Sequence, residues 1–361
     1  MNVQKLHGLA EGCLVGAAIG DALGMPVEMA TRKQILDATD GRGVTGFADV
    51  PRLTRIDDNV HNATGTTTDD TQLMLAVANS LVRKREFDLV DCLQEHVRAL
   101  NSGLFGWGKT TQDRVKAFGE WFASGGKKGA DPHSRSPVMS LGTGVAMKIA
   151  PIGVFFGLRK ETCLNPDKEI ADATFLLGYA THGDPRASVA GVVIASLVRS
   201  FMTEEDPLVR DRLISLLRSH GARIAELENI ELVHGMEGST KPVEEPLMSR
   251  VARVLDSVDE MVTSASPKAL LKIVGTSSFS VMEIIPLALG ILLRHPTDFR
   301  AAVCEAVNMG GDTDTLACIV GALVGANVGI DAIPRDLLKG CQSTQTVSQV
   351  AHLLILAAER R

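Results

Sequence analysis

Two short acidic runs hold the residue types best suited to chemistry. Thr66-Thr67-Thr68-Asp69-Asp70-Thr71-Gln72 sets adjacent carboxylates among hydroxyls, and Gly310-Gly311-Asp312-Thr313-Asp314-Thr315 sets two carboxylates one residue apart. Like charges brought into a small volume repel. A hard divalent cation relieves that repulsion and accepts carboxylate, hydroxyl and water oxygens. Each run also directly precedes an apolar helical pattern, where Asp and Thr serve as caps, and Asp69 with Gln72 has capping-box spacing. Capping explains one oxygen in each run and leaves the second carboxylate without a task. On residues alone three readings stay open: metal ligands, helix caps, or another polar network. Two lone residues are ambiguous in the same way. Glu28 reads locally as a solvated acid following Pro26, and His182 as a loop or helix-cap histidine.

The elements that must position these residues are mostly helical. Gly8, Gly12, Gly16, Gly20 and Gly24 recur every four residues along one helix face, and Gly321, Gly325 and Gly329 repeat the pattern. Glycine costs about 1 kcal/mol per interior helix position relative to alanine. Such rows predict two tightly packed core helices that recover the loss by close approach. Apolar periodicity predicts further helices over 71–83, 87–100, 187–202, 208–220, 248–258, 281–295, 299–307 and 349–360. The glycine-rich apolar stretch 138–156, interrupted by Pro151, predicts turns between helices. Polar stretches 42–66 and 124–137 predict surface loops, and 203–246 an acidic helix with a polar excursion. The expectation is one domain over residues 1–361.

Composition removes other classes. Lys plus Arg number 37 against 43 Asp plus Glu, a net charge of -6 that gives no grip on nucleic acid or anionic lipid. Aromatics are 4% of residues, too few for a base-stacking sheet or an aromatic sugar groove. The six cysteines lie far apart, with no zinc spacing and no disulfide framework, as in a reducing compartment. No phosphate-binding GxxxxGK[ST] loop occurs. The apolar segments are broken by Gly, Pro or charge and read as too short for a membrane span. A cytoplasmic protein is expected.

Four segments occur in a telling order: GCLVGAAIGDALGMPVE, TTDDTQLMLAVANSLV, THGDP at Thr181 to Pro185, and GGDTDTLACIVGALVGA. Together they resemble the ADP-ribosylglycohydrolase family over nearly the whole chain. The resemblance implies an all-α fold, a compact multi-helix orthogonal bundle, with two Mg²⁺ (or Mn²⁺) ions in a central cleft. It implies hydrolysis of the bond joining ADP-ribose to a protein side chain or a related acceptor. By motif, Thr68, Asp69 and Asp70 supply one side of the metal centre and Asp312, Asp314 and Thr315 the other, with Asp314 or Asp70 as the bridge. Asp69 and Asp314 thereby join Glu28 as catalytic candidates. Glu28 matches a position that orients water or protonates a leaving oxygen, work that a carboxyl group near the scissile bond can do. Asp21 is expected to hydrogen-bond near the site. His182 matches a substrate-positioning histidine.

Departures from the family pattern bear on the acceptor. Ser140 to Lys148 resembles a stretch usually written GNGxxMR, with Thr143 and Lys148 in place of Asn and Arg. Thr143 and Gly144 are expected to receive the diphosphate or distal ribose, and Lys148 to be a less selective phosphate partner than Arg. Arginine-linkage hydrolases carry an Asp where Gly106 stands, so recognition of a guanidinium is weakened. Asp113 reads as a helix-face acid and Trp107 as packing or cleft lining. An O-linked acceptor is favoured. The alternatives are an ADP-ribosyl-arginine hydrolase, an ADP-ribose-binding protein with little turnover, and another magnesium hydrolase such as a phosphatase. The expected partner is an ADP-ribosylated protein or small ADP-ribose conjugate, with no nucleic acid and no membrane, and a monomer or weak homo-oligomer.

Overall fold

The computed structural model describes residues 3–54, 64–103, 106–159, 165–235, 245–263, 267–275 and 279–359. Cys163, residues 55–63 of the first polar loop and residues 236–244 of the polar excursion lie outside them. Among the described residues every regular element is a helix, and the only β pairing is two isolated bridges, Thr31 with Gly310 and Gly142 with Ser280.

Two helices form the axis of the core, Val3–Gly24 (α1) and, late in the chain, Thr313–Val328. A Cβ built on Gly12 would lie 2.6 Å from the carbonyl oxygen of Gly325, on Gly16 2.3 Å from that of Gly321, and on Gly20 1.9 Å from that of Ala317. On Gly24 it would lie 2.4 Å from that of Thr313. As one number rises the other falls, so the two helices run antiparallel with their backbones in contact. The ends of the predicted rows behave differently. A Cβ on Gly8 would meet only Ile330, at 3.9 Å, and Gly329, at φ 82°, ends the later helix instead of extending the stripe. The stretch Val3–Val27 is long and apolar enough to cross a membrane, contrary to the expectation from sequence, but 89% of its apolar window is buried inside the protein. It is a core helix.

The remaining helices pack around this pair. They are Arg32–Ala38 (α2), Asp69–Lys84 (α3), Leu89–Asn101 (α4), Lys109–Ala123 (α5), Ala150–Leu158 (α6), Pro166–Thr181 (α7), Pro185–Phe201 (α8), Arg210–Gly235 (α9) and Leu247–Asp256 (α10). Val258–Thr263 (α11), Pro267–Val274 (α12), Val281–Arg294 (α13) and Phe299–Val307 (α14) follow, then Thr313–Val328 (α15), Arg335–Gly340 (α16) and Thr344–Glu359 (α17). The turn reading of 138–156 is corrected in its second half. Pro151 sits in the first turn of α6, where its missing N–H costs nothing. Gly153 and Gly157 of α6 lie against α8, with built Cβ atoms 2.4 Å from the Ala195 oxygen and 2.7 Å from Met202. The residues that look like breakers are packing devices.

The end of α1 and the starts of α3 and α15 are aimed inward by these contacts. Pairing with α15 holds the end of α1, and the three-residue 3-10 turn Met25–Val27 then delivers Glu28. The Glu28 turn is stitched to the second acidic run: Met29 N–H donates to the Gly311 oxygen at 2.8 Å, and Gly311 N–H to the Ala30 oxygen at 2.9 Å. The start of α3 is fixed from α1 through Asp21, and the start of α15 is fixed by the glycine contact itself.

Candidate metal centre

A cavity of about 450 Å³ opens where these three helix ends converge. Ten predicted residues line it: Glu28, Asp69, Asp70, Asp312, Asp314 and Thr315 from the acidic side, with Gly106, Thr143, Gly144 and His182 opposite. Thr68 alone of the predicted set is absent from the wall. It is the N-cap of α3, and its hydroxyl donates to Asp21 at 2.9 Å and lies 3.2 Å from Asp70.

The capping reading fails for the carboxylates. Thr68, not Asp69, caps α3, and Asp312 stands at the N-cap position of α15 without making a side-chain cap bond. Two groups of carboxylate oxygens form instead, each within 4.8 Å: Asp21 with Asp70 and Asp314, and Glu28 with Asp312 and Asp314. Asp314 belongs to both. Asp69 belongs to neither, though it lines the same cavity. Asp21 was not among the expected ligands. Both its oxygens accept bonds from the α3 start: Thr68 N–H at 3.0 Å, Thr71 N–H at 3.1 Å and the Thr71 hydroxyl at 2.5 Å. The expected hydrogen-bonding role for Asp21 is therefore met. Its place in an oxygen group was hidden because it depends on the register of α1 against α15.

Charge crowding is severe. Burial, then the charges of Asp314 and Asp21, pushes the Glu28 carboxyl up to about 8. Burial, then Asp314, pushes Asp21 up to about 7 despite its hydrogen bonds. Asp69, Asp70 and Asp312 are raised by burial first and Asp314 second. One oxygen, Asp70 Oδ1, is buried with no hydrogen-bond partner. Buried polar atoms are seldom left so. An unpartnered acceptor amid mutually repelling oxygens fits a hard divalent cation, and the all-oxygen set suits Mg²⁺ or Mn²⁺ better than zinc. The two acidic clusters thus have the makings of a binuclear metal site.

The opposite wall is built of small residues for a reason. A Cβ on Gly144 would lie 2.9 Å from the Thr111 hydroxyl and 3.0 Å from His182. The Thr143 hydroxyl donates to Asp312 at 3.3 Å, which ties this wall to the acidic one. His182 is buried with Nδ1 2.9 Å from the Thr181 hydroxyl. Burial, then the charge of Lys148, pushes the imidazole down to about 3, so it is neutral. Gly106, at φ 94°, is in a conformation side chains rarely adopt, and a Cβ there would lie 3.0 Å from Thr68 and 3.1 Å from Asp69. Trp107 stands outside the wall and donates to Gln72 at 3.0 Å, and Asp113 pairs with Lys109 on the surface at 2.5 Å. Lys148, expected to meet phosphate, is fully buried and outside the wall. Phe279, half-exposed in the cavity wall, carried no signal in its sequence context.

An all-helical fold around an acid-lined cavity suited to divalent ions defines the class of protein. The particular family follows from comparison with known proteins. The description ADP-ribosylglycohydrolase matches residues 2–361, and the chain belongs to that family, hydrolases of ADP-ribosyl linkages. It is 24% identical over 363 residues to the ADP-ribosylhydrolase ARH3 of Danio rerio, covering 95% of this chain and 89% of that one. It is 25% identical over 339 residues to the uncharacterized protein YegU of Escherichia coli, covering 90% and 89%. It is also 24% identical over 340 residues to the ADP-ribosyl-[dinitrogen reductase] glycohydrolase of Rhodospirillum rubrum, covering 94% and 92%. A solved chain described as an ADP-ribosylglycohydrolase-related protein complex has a TM-score of 0.64 at 22% identity, over 99% of this chain and 100% of that one, a likeness of fold.

Proposed function

We propose that the protein hydrolyses an O-linked ADP-ribosyl bond on a protein side chain or small conjugate, with two Mg²⁺ or Mn²⁺ ions in the acidic cavity. The observation that carries this reading is Glu28. It is a cavity carboxyl grouped with Asp312 and Asp314, and burial, the largest of the causes that raise it, favours its protonated form. An alkoxide leaving group needs a proton as the C1 bond of ribose breaks with oxocarbenium character. Glu28 is the acid that supplies it, and the resulting carboxylate orients the attacking water. Asp70, Asp312 and Asp314, with Thr68, Asp69 and Thr315 beside them, would hold the ions, which would fix the ribose hydroxyls and offset charge. Thr143, Gly144 and His182 position the rest of the nucleotide, and Phe279 offers a face to the base. The steric argument at Gly106 supports the acceptor choice: a carboxylate there would be strained and would crowd Asp69. The Rhodospirillum rubrum relative, whose name gives dinitrogen reductase as its target, supports a protein conjugate. The whole chain is read as one domain.

The test is a matched panel of serine-linked, arginine-linked and acidic-residue-linked ADP-ribose plus the polymer. It is run with Mg²⁺, with Mn²⁺ and after chelation, with products identified by mass. Release of intact ADP-ribose is expected, fastest from an O-linked member. Preferential release from arginine overturns the acceptor choice, release of phosphate overturns the bond, and no metal-dependent release from any member favours a binding protein.

A further inference from the structure

Lys148 ends the 3-10 turn Ala146–Lys148, directly after the cavity-lining Met147 and four residues beyond Gly144. It has no exposed surface, and its Nζ has no hydrogen-bond partner. Taking an ammonium out of water costs several kcal/mol unless charges nearby repay it. Its neighbours are mostly neutral. Burial pushes the Cys92 thiol up to about 12, so it carries no charge. Burial and Lys148 itself drive His96 well below the usual imidazole range. His96 Nδ1–H donates to the Cys92 carbonyl at 2.7 Å, and its buried Nε2 is unpartnered. His182, neutral for the same causes, also feels the Lys148 charge. Among the groups acting on Lys148 the one carboxyl is Asp69, which lines the cavity but stands outside both oxygen groups. The unsolvated cation sits in a turn packed against α3 and α15, and Asp69 is the carboxyl that acts on it.

We propose that Lys148 is a positioning residue, the internal counter-charge of the acidic centre. From its turn against α3 and α15, it offsets carboxylate repulsion before ions bind and limits how tightly they are held afterwards. The same field attracts an anionic diphosphate into the cavity. This inference rests on the reading of the cavity as a site for divalent ions.

The sign of its effect separates it from a packing role. Removing a positive charge near the site strengthens binding of a divalent cation and weakens binding of an anion. Loosened packing weakens both. The experiment is calorimetric titration of the dialysed full chain with Mg²⁺, and then with ADP-ribose at saturating Mg²⁺, for the natural protein and Lys148→Met. The expected result is Mg²⁺ binding tighter by roughly three- to tenfold, the order expected when one unit charge acts at a distance on an ion inside a protein. ADP-ribose binding should weaken. Unchanged or weaker Mg²⁺ binding in a folded variant overturns the inference alone. Absence of Mg²⁺ and Mn²⁺ binding in the natural protein overturns the metal reading and this inference with it. Should Lys148→Met not fold, lysine-amine NMR of the natural protein decides. The signal of Lys148, the one fully buried lysine among the described residues, must move on Mg²⁺ addition, and a static signal overturns the proposal.

Discussion

Two cavities of nearly equal size differ in what their polar atoms are doing. The cavity between α9 and α10 measures about 440 Å³ and is walled by Leu217, Ala225, Met248, Val251 and Leu255. It also holds a buried carboxylate, Glu228, but both oxygens are occupied, by Leu247 N–H at 2.6 Å and Met248 N–H at 2.9 Å at the start of α10. The acidic cavity, about 450 Å³, is lined by five carboxyl groups, Asp314 among them, with Asp21 grouped beside them and an orphaned oxygen on Asp70. Volume does not separate the two. Uncommitted hydrogen-bonding and charge capacity does, and only one cavity has it to offer a ligand.

Asp314→Asn should break the contrast most completely, because Asp314 alone belongs to both oxygen groups. At least one divalent ion should be lost and turnover should fall by at least about 10³-fold, in keeping with the several kcal/mol that bound metal supplies. Metal analysis of the dialysed variant beside a product assay measures both, and unchanged stoichiometry removes Asp314 from the centre. Glu28→Gln should cost about 10²–10⁴-fold in rate while metal stoichiometry is kept. Near-native turnover where chemistry limits the rate takes Glu28 out of the mechanism.

A smaller effect concerns pH. In the metal-free protein Glu28 and Asp21 hold protons up to about 8 and about 7. Unfolded carboxyls titrate near about 4. The folded state therefore binds more protons between these limits, and stability falls as pH rises through them. Thermal melts of chelated protein should show that decline, complete above about pH 8, and Mg²⁺ should remove it. A metal-free melting temperature flat across this window contradicts the crowding. The smallest effect belongs to the other cavity. Glu228→Gln should leave turnover unchanged and cost about 1 kcal/mol by urea denaturation, the worth of one buried hydrogen bond. Lost turnover there would erase the distinction between the cavities.

Much of this contrast was legible in the sequence, and the reasons it was not complete are physical. Period-four glycines gave away α1 and α15 because backbone contact tolerates no Cβ at Gly16 or Gly20. The paired acids gave away the centre because repelling carboxylates need a cause. α6 was hidden because Pro151 and Gly153 carry the same letters in a turn as in a packed helix start. α5, with Val115 and Phe118 its buried large apolar residues, showed too thin a stripe to be counted. The separation of Asp69 from the oxygen groups and the burial of Lys148 follow from how the 3-10 turn packs against α3, α8 and α15, which no local pattern encodes.

The antiparallel pairing of α1 with α15 has a consequence for biosynthesis. Gly12 meets Gly325 and Gly20 meets Ala317, contacts that span nearly the whole chain. Non-local contacts of this kind form late. At about 5–20 residues per second on the ribosome, α1 emerges roughly 15–60 s before its partner exists. For that interval an apolar helix of 22 residues has no α15 to cover its glycine face. The carboxylates of the centre cannot be brought together until Asp314 has been made.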